Sequence, residues 1–375
     1  MTNPSLRHAP YAVASLFFLL GFNYGSWATR LPALKAQLEL GPAQVGFLLL
    51  ASGLGAVFSF PITATLLRKL GAQRCCWLSA ALIPGLLILL GLAPNYPFAL
   101  VVMVFEGVAA ACLNVAMNAQ GVDIELKRRK PIMSRLHAVF SLGGLAAALF
   151  ASQMIRLLPS VTLHFAAAAI LMWALLAWAA PRLLPQAPEP DRQPGKRFSL
   201  PSGAALWLGI AALAGTVVEG SMSDWTALYL KERAGASEQW AALGLAAFTV
   251  TMFCARWLGD GWRARWGSAR LLQVGGSVAG IGLALGLLLG GFWPGLLAFA
   301  LVGLGVAAVS PCVYIAGAKQ GPVALAAVTT TGAVGALLGP PLIGFVAHAS
   351  HLGWGLAVVA GSAALIALAA RRIAW

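Results

Sequence analysis

Acidic side chains are scarce in this chain. Eleven Asp and Glu stand against 25 Lys and Arg, and all charged residues together make up only 10% of the 375 positions. An ordinary soluble domain carries roughly a quarter of its residues charged, so water is not the solvent for most of this surface. A phosphate-cradling GxxxxGK[ST] loop is missing, and no stretch is polar and long enough for a nucleotide-binding domain, which argues against primary pumping. The five cysteines, at positions 75, 76, 112, 254 and 312, form no CxxC pair and lie in or beside apolar runs, where they read as small apolar filler. Nothing has the spacing of a metal cluster or a nucleophile triad. No catalytic residue, metal or cofactor is therefore expected, and the chain does not read as an enzyme.

What is present is hydrophobicity. Sixty per cent of the residues are apolar or aromatic, and the mean hydropathy is +0.83. Most of the chain therefore has lipid as its solvent. A net charge of +14 would suit nucleic acid if it were gathered on one face. Here the basic residues sit between apolar runs, so no nucleic-acid partner is expected. Arg7 before the first run resembles the start of a signal peptide, but the many runs that follow make it an uncleaved first span.

A bilayer crossing takes about 20 residues. Twelve spans fit, at 10–30, 43–67, 75–93, 97–122, 134–156, 161–180, 203–230, 239–260, 271–292, 295–318, 324–348 and 353–370. Nineteen basic residues fall on the termini and alternate loops of one side, and five on the other. The positive-inside bias then puts both termini in the cytoplasm of a bacterial inner membrane. The run Lys127–Lys130 reads as a cytoplasmic anchor for lipid headgroups. Between Ala180 and Pro201 the chain loses its hydrophobicity, with five prolines between Pro181 and Pro194 and charges at Arg182, Glu189, Asp191, Arg192, Lys196 and Arg197. Proline resists helix, so 181–201 is a cytoplasmic linker between two six-span halves, 1–180 and 202–375.

The halves repeat. Lys69-Leu70-Gly71-Ala72-Gln73-Arg74 follows the second span and Arg265-Trp266-Gly267-Ser268-Ala269-Arg270 follows the eighth, both [KR]-x-G-x-x-R. A short basic-glycine turn means little alone, but at equivalent loops of two halves it points to duplication. Twelve spans as six plus six, a long central loop and these two turns resemble the major facilitator superfamily over essentially the whole chain. The usual turn there is G-x-x-x-D-R-x-G-R-R, and Arg68 and Ala264 stand at its acidic positions here. FFLLGFNYG (17–25), WATRLP (27–32), LNVAMNAQ (113–120), PIMSRLHAVFSLGG (131–144) and EGSMSDWTALYL (219–230) are similar to a bacterial sugar-porter-like branch, the earlier blocks to proton-coupled fucose permease. The carboxylates that the permease carries in spans 1 and 4 fall on Ala28 and Asn114, so its specificity and its proton site do not carry over.

The resemblance implies a central cavity lined by spans 1, 4, 7 and 10. Spans 3, 6, 9 and 12 contain no acidic residue, whereas Glu106 lies in span 4 and Glu219 and Asp224 in span 7. Polar groups in lipid are costly and should face a cavity or a partner. Asn23, Ser26, Arg30, Asn114, Asn118, Gln120, Thr216, Ser221, Ser223, Ser310 and Tyr314 also fall in the lining set. Asn23, Ser26, Trp27 and Arg30 share one helical face, ending where Leu31-Pro32 should stop the helix. That face reads either as an interfacial anchor or as an outer gate and substrate fork. Asn114 and Asn118, one turn apart, either fasten helices or bind substrate. Glu106 is too deep to reach water without a cavity.

Glu219 and Asp224 are i, i+5, about 140° apart. Desolvation favours a protonated carboxyl, so Glu219 reads as a reversible proton carrier, the competing reading being a fixed salt bridge to Arg30. Arg256 and Asp260, at i, i+4, could form a helix-end pair. His137 reads as an interface residue before a proton relay. In span 11, Gly335, Gly339, Pro340, Pro341 and Gly344 should permit close approach and a kink.

The expectation is an all-α membrane protein with twelve transmembrane helices in two six-helix bundles, working as a monomeric secondary transporter among membrane lipids by alternating access. Its partners would be a small polar solute, by resemblance a sugar or sugar derivative, and protons. Candidate substrate-binding residues are Asn23, Trp27, Arg30, Asn114, Asn118, Trp225 and Tyr314. Glu106 and Glu219 are candidates for proton coupling, and Arg30 with Asp224 for a gate. Two alternatives stand beside it: efflux of amphipathic compounds, and a non-transporting receptor or assembly factor on the same scaffold. Drug antiporters of the superfamily that the chain resembles carry a G-x-x-x-G-P pattern in span 5, so by that resemblance the absence of proline beside Gly143-Gly144 counts against drug export.

Overall fold

The computed structural model describes residues 4–128, 132–157, 159–185, 204–320, 322–373 and 375. Every regular element among them is helical. In chain order these are α1 (Pro4–Thr29), α2 (Leu31–Gln37), α3 (Pro42–Gly91), α4 (Tyr96–Arg128), α5 (Met133–Leu157), α6 (Val161–Ala179), a single 3₁₀ turn (Ala180–Arg182), α7 (Ala204–Glu232), α8 (Glu238–Ala241), α9 (Leu243–Leu289), α10 (Phe292–Val306), α11 (Val309–Lys319), α12 (Pro322–Ala349) and α13 (Leu352–Ala370). Among the described residues, eleven helical segments are long and apolar enough to cross a membrane. With α1, whose 26 residues are made more polar by Asn23, Tyr24 and Ser26, they accommodate the twelve spans read from the sequence.

The two repeated turns are tighter than separate spans would suggest. Helix runs up to and away from one residue in each case, Gly71 at φ 77, ψ 162 in α3 and Gly267 at φ 75, ψ 158 in α9. Positive φ is strained for residues with a Cβ, so the glycine of each [KR]-x-G-x-x-R copy is the residue that turns the chain. Other boundaries depart from expectation. Span 10 is broken at Ala307–Ala308 into α10 and α11. The chain beyond Arg30 forms a further turn, α2, with Pro32 in its first turn, where a missing N–H costs nothing. By contrast α12 continues through Pro340 and Pro341, in line with the span drawn over 324–348.

Contacts divide the chain into two compact units, Met1–Glu39 with Ala51–Pro194, and Leu40–Leu50 with Gly195–Trp375. In the first unit α3 and α4 approach at backbone distance: a Cβ on Gly55 would lie 2.0 Å from the Val104 carbonyl oxygen, and one on Gly107 1.9 Å from that of Ser52. Side chains are thus absent from the seam on both helices, and Ser52 is brought beside Glu106. At the far end of α4, Gln120 is fully buried and does not line a cavity as expected. Its amide donates to the Leu184 carbonyl at 2.8 Å and accepts from the Leu184 N–H at 3.1 Å, while Gln73 donates to the Leu183 carbonyl at 3.3 Å. The start of the expected linker is therefore docked, with Leu183 and Leu184 buried. Its remainder, 186–201, lies outside the described residues, as do Arg129 and Lys130 of the basic run.

In the second unit α7 packs along α12, where Thr216 Oγ1 donates to the Gly332 carbonyl at 2.8 Å. Thr251 Oγ1 fastens α9 to α10 through the Ala300 carbonyl at 2.7 Å. The opening of α3 belongs to this unit, with Gly46 against the backbone of Pro340, Pro341 and Gly344 and Phe47 edge-on to Phe345 at 5.1 Å. The close approach expected of the span 11 glycines is thus made.

Candidate functional site

Several polar residues expected to line a cavity turn back on their own helices. Ser26 donates to the Phe22 carbonyl at 2.7 Å, Ser223 to that of Glu219 at 3.1 Å and Ser221 to that of Val217. A hydroxyl bonded one turn back is satisfied without a ligand. What remains is a smaller set, held separately in each unit.

In the first unit the centre is Glu106, 4% exposed. Asn23 Nδ2 of α1 donates to its Oε1 at 2.8 Å, and Ser52 Oγ of α3 donates to its Oε2 at 3.1 Å. Both donors are neutral. A buried carboxylate without a cation carries a desolvation cost of several kcal/mol, which hydrogen bonds offset only partly. Among the described residues, Asn23 Oδ1 is buried with no hydrogen-bond partner. The amide can turn over, since its two ends are nearly the same shape, and would then accept a hydrogen bond from a protonated Glu106. Asn23 can therefore serve either state of the carboxyl. Ser52 was not singled out from the sequence. A lone serine early in an apolar span carries no signal until the Gly55 and Gly107 contacts bring the helices together.

Farther along α4, Asn118 Nδ2 donates to the Asn114 carbonyl at 2.7 Å and to Asn114 Oδ1 at 2.9 Å. Asn114 is exposed and Asn118 half-buried, so the pair presents amide groups from one helix face. Arg30 is fully buried, and its guanidinium donates to the Pro159 carbonyl. His164 of α6, also fully buried, lies within electrostatic reach of that guanidinium and packs between Phe150 and Phe165 at 5.4 and 5.7 Å. This histidine was missed, because an isolated His near a span end gives no pattern. Trp27 is buried against Tyr24 at 4.8 Å. His137 packs edge-on to Phe17 at 5.2 Å, in keeping with an interface residue.

In the second unit Glu219 of α7 accepts a charge-assisted hydrogen bond from Arg256 Nη2 of α9 at 2.8 Å, the two side chains being 30% and 15% exposed respectively. Within its unit, then, Glu219 has a partner other than the expected Arg30, and Arg256 reaches across to α7; the side chain of Asp260 lies outside the described residues. Tyr314 of α11, 42% exposed, lies within electrostatic reach of Glu219. Together with Thr216 these residues form a polar patch drawn from α7, α9 and α11. Asp224 and Trp225, the next turn of α7, are both buried. Among the described residues no group of His, Cys, Asp and Glu could hold a metal ion.

Comparison with known proteins agrees with this architecture. The model of the Major Facilitator Superfamily matches residues 13–323. An uncharacterised MFS-type transporter of Yersinia pestis is 32% identical over 95% of this chain and 94% of its own length. An uncharacterised transporter of Sinorhizobium fredii is 34% identical over 96% of each, and the membrane protein MosC of Rhizobium meliloti is 30% identical over 98% and 91%. Among solved structures, the nucleoside transporter NupG superposes with a TM-score of 0.77 at 16% identity, over 97% of this chain and 99% of that one. The Escherichia coli fucose:proton symporter FucP gives 0.66 at 19%, over 98% of each. With helices alone among its described elements, turning glycines at both repeats and a family match across most of its length, the chain belongs to the Major Facilitator Superfamily, whose members are transporters and not enzymes.

Proposed function

We propose that this protein is a secondary transporter that moves a small polar solute, a sugar or sugar derivative, by alternating access coupled to protons. The reading is carried by Glu106, a carboxyl buried in a membrane helix with, among the described residues, only neutral donors, Asn23 and Ser52, at its two oxygens. A group of this kind is costly to keep ionised in a dry site and cheap to keep protonated, so a change in hydration changes its charge. Coupling needs such a difference between states, because a group with equal proton affinity in both shifts nothing.

Glu219 takes the complementary part. Its charge is already offset by Arg256, and a partly exposed pair is held by only about 0–1 kcal/mol. A solute bearing hydroxyl groups can compete for either member, which links occupancy to the charge on Glu219. Asn114, Asn118 and Tyr314 supply further hydrogen bonds on exposed helix faces. The similarity to transporters described as acting on nucleosides and on fucose with protons supports a polar solute. The protein sits in the bacterial inner membrane with both termini cytoplasmic, a reading that the loop charge bias supports.

The test uses purified protein in liposomes, after a thermal-shift screen of sugars, acids and drugs has found a solute. Glu106→Gln keeps hydrogen-bonding capacity while removing the titratable group. It should abolish accumulation driven by a pH gradient and spare binding and exchange; Glu219→Gln should do likewise. If the single and double variants still accumulate solute driven by pH alone, both carboxyls are structural and the coupling assignment is wrong.

A further inference from the structure

Away from these polar groups, the second unit carries a hollow of about 440 Å³ where α9 turns at Gly267, walled by both arms of α9 and by α10 up to its break. Its volume falls within the roughly 300–1,000 Å³ of small-ligand sites. Trp262 and Trp266 stand at one end, their rings stacked at 5.9 Å and 25°, with Trp266 46% exposed. Arg270, also exposed, lies on the same rim. The rest of the lining is aliphatic. The hollow exists because helices meet there without side chains: a Cβ on Gly275 or on Gly305 would lie 2.2 Å from the other's carbonyl oxygen, and Ala308 sits at the break. Between Asp260 and Gly280 the sequence has three arginines, Arg263, Arg265 and Arg270, against one acid, Asp260.

We propose that this hollow binds an anionic phospholipid, with one acyl chain against the aliphatic wall and the headgroup phosphate at Arg270. Three features favour a lipid over a soluble anion. The site has charge at one rim and hydrocarbon elsewhere, which matches an amphiphile. The tryptophan pair suits the boundary between headgroups and acyl chains, where amphipathic rings gather. The exposed Arg270 attracts anionic lipid over zwitterionic lipid, by roughly 1 kcal/mol for a Lys or Arg near the surface. In the topology read from the sequence, this rim belongs to the cytoplasmic leaflet.

The experiment takes the full chain, delipidated in detergent, and titrates dioleoylphosphatidylglycerol, dioleoylphosphatidylcholine or inorganic phosphate, following melting temperature and lipid retained in native mass spectra. The phosphatidylglycerol should bind about fivefold more tightly than the phosphatidylcholine, the effect expected of one arginine. Arg270→Gln, at an exposed position that should not disturb folding, should remove most of that preference. Ala308→Leu, which fills the floor, should weaken both lipids. Arg74→Gln, at the matching turn of the first half, should change neither. Equal affinity for the two lipids, equal losses from Arg270→Gln and Arg74→Gln, or stabilisation by inorganic phosphate matching that by lipid would each overturn the proposal. A normal response of Ala308→Leu to both lipids would likewise exclude this hollow as the acyl site.

Discussion

Glu106 and Glu219 are both carboxyls on membrane helices, yet their surroundings differ. Glu106 depends on neutral donors and full burial, so its neighbours contribute through geometry. Asn23→Ala deletes a buried donor to a carboxyl and should destabilise the protein by about 1–3 kcal/mol. Asn23→Asp should cost more than the alanine variant, because it sets a second carboxyl beside the first, and like charges at this range repel strongly in a low dielectric. Thermal melting in detergent compares them, and an aspartate variant as stable as wild type would show the site to be wetter than its burial indicates. Arg256→Gln should behave in the opposite way, with stability within about 1 kcal/mol of wild type but solute affinity clearly reduced. A large loss of stability with unchanged affinity would make the Glu219–Arg256 pair a structural tie.

At the scale of elements, helix contacts are set by residues with little or no side chain. Gly55 and Gly107 bring α3 to α4 and place Ser52 on Glu106. Gly107→Val should force the helices apart, costing 1–3 kcal/mol or more through overpacking, and should lower proton coupling along with stability. The turns offer a paired test. Gly71→Ala and Gly267→Ala each put a Cβ at a φ of 77° or 75° with ψ near 160°, a region that essentially only glycine adopts, which costs roughly 1–3 kcal/mol. The two losses in melting temperature should agree. A loss at one position only would mean that the second copy of the repeat has relaxed into another conformation.

For the molecule as a whole, orientation in the membrane is the main expectation. In a Cys254→Ser background, which removes the exposed native thiol, Ser199→Cys should react with an impermeant maleimide only when the cytoplasmic face is open to reagent. Labelling in intact cells would reverse the topology. The docking of Leu183 and Leu184 by Gln120 and Gln73 ties the start of the expected linker to the first unit. Gln120→Ala should release this segment, costing about 1–3 kcal/mol for a buried backbone group left unpaired and making peptide bonds near Leu184 sensitive to protease.

The sequence alone determined the membrane setting, the number of spans and the internal repeat. These follow from composition, the length of apolar runs and the placement of basic residues, which act locally and additively. It also picked out Glu106 and Glu219, since an acid inside an apolar run is visible without a fold. Which groups meet those acids was decided only by tertiary structure. Asn23 and Ser52 reach Glu106 from 83 and 54 positions away in sequence, and Arg256 reaches Glu219 across 37. His164 beside Arg30 and Gln120 beside Leu184 were equally hidden. Spacing along one helix reveals its faces, but the rotation and approach of neighbouring helices depend on where side chains are missing. The effect of glycines such as Gly55 and Gly107 is therefore felt by residues that are remote in the chain and in contact only in the folded protein.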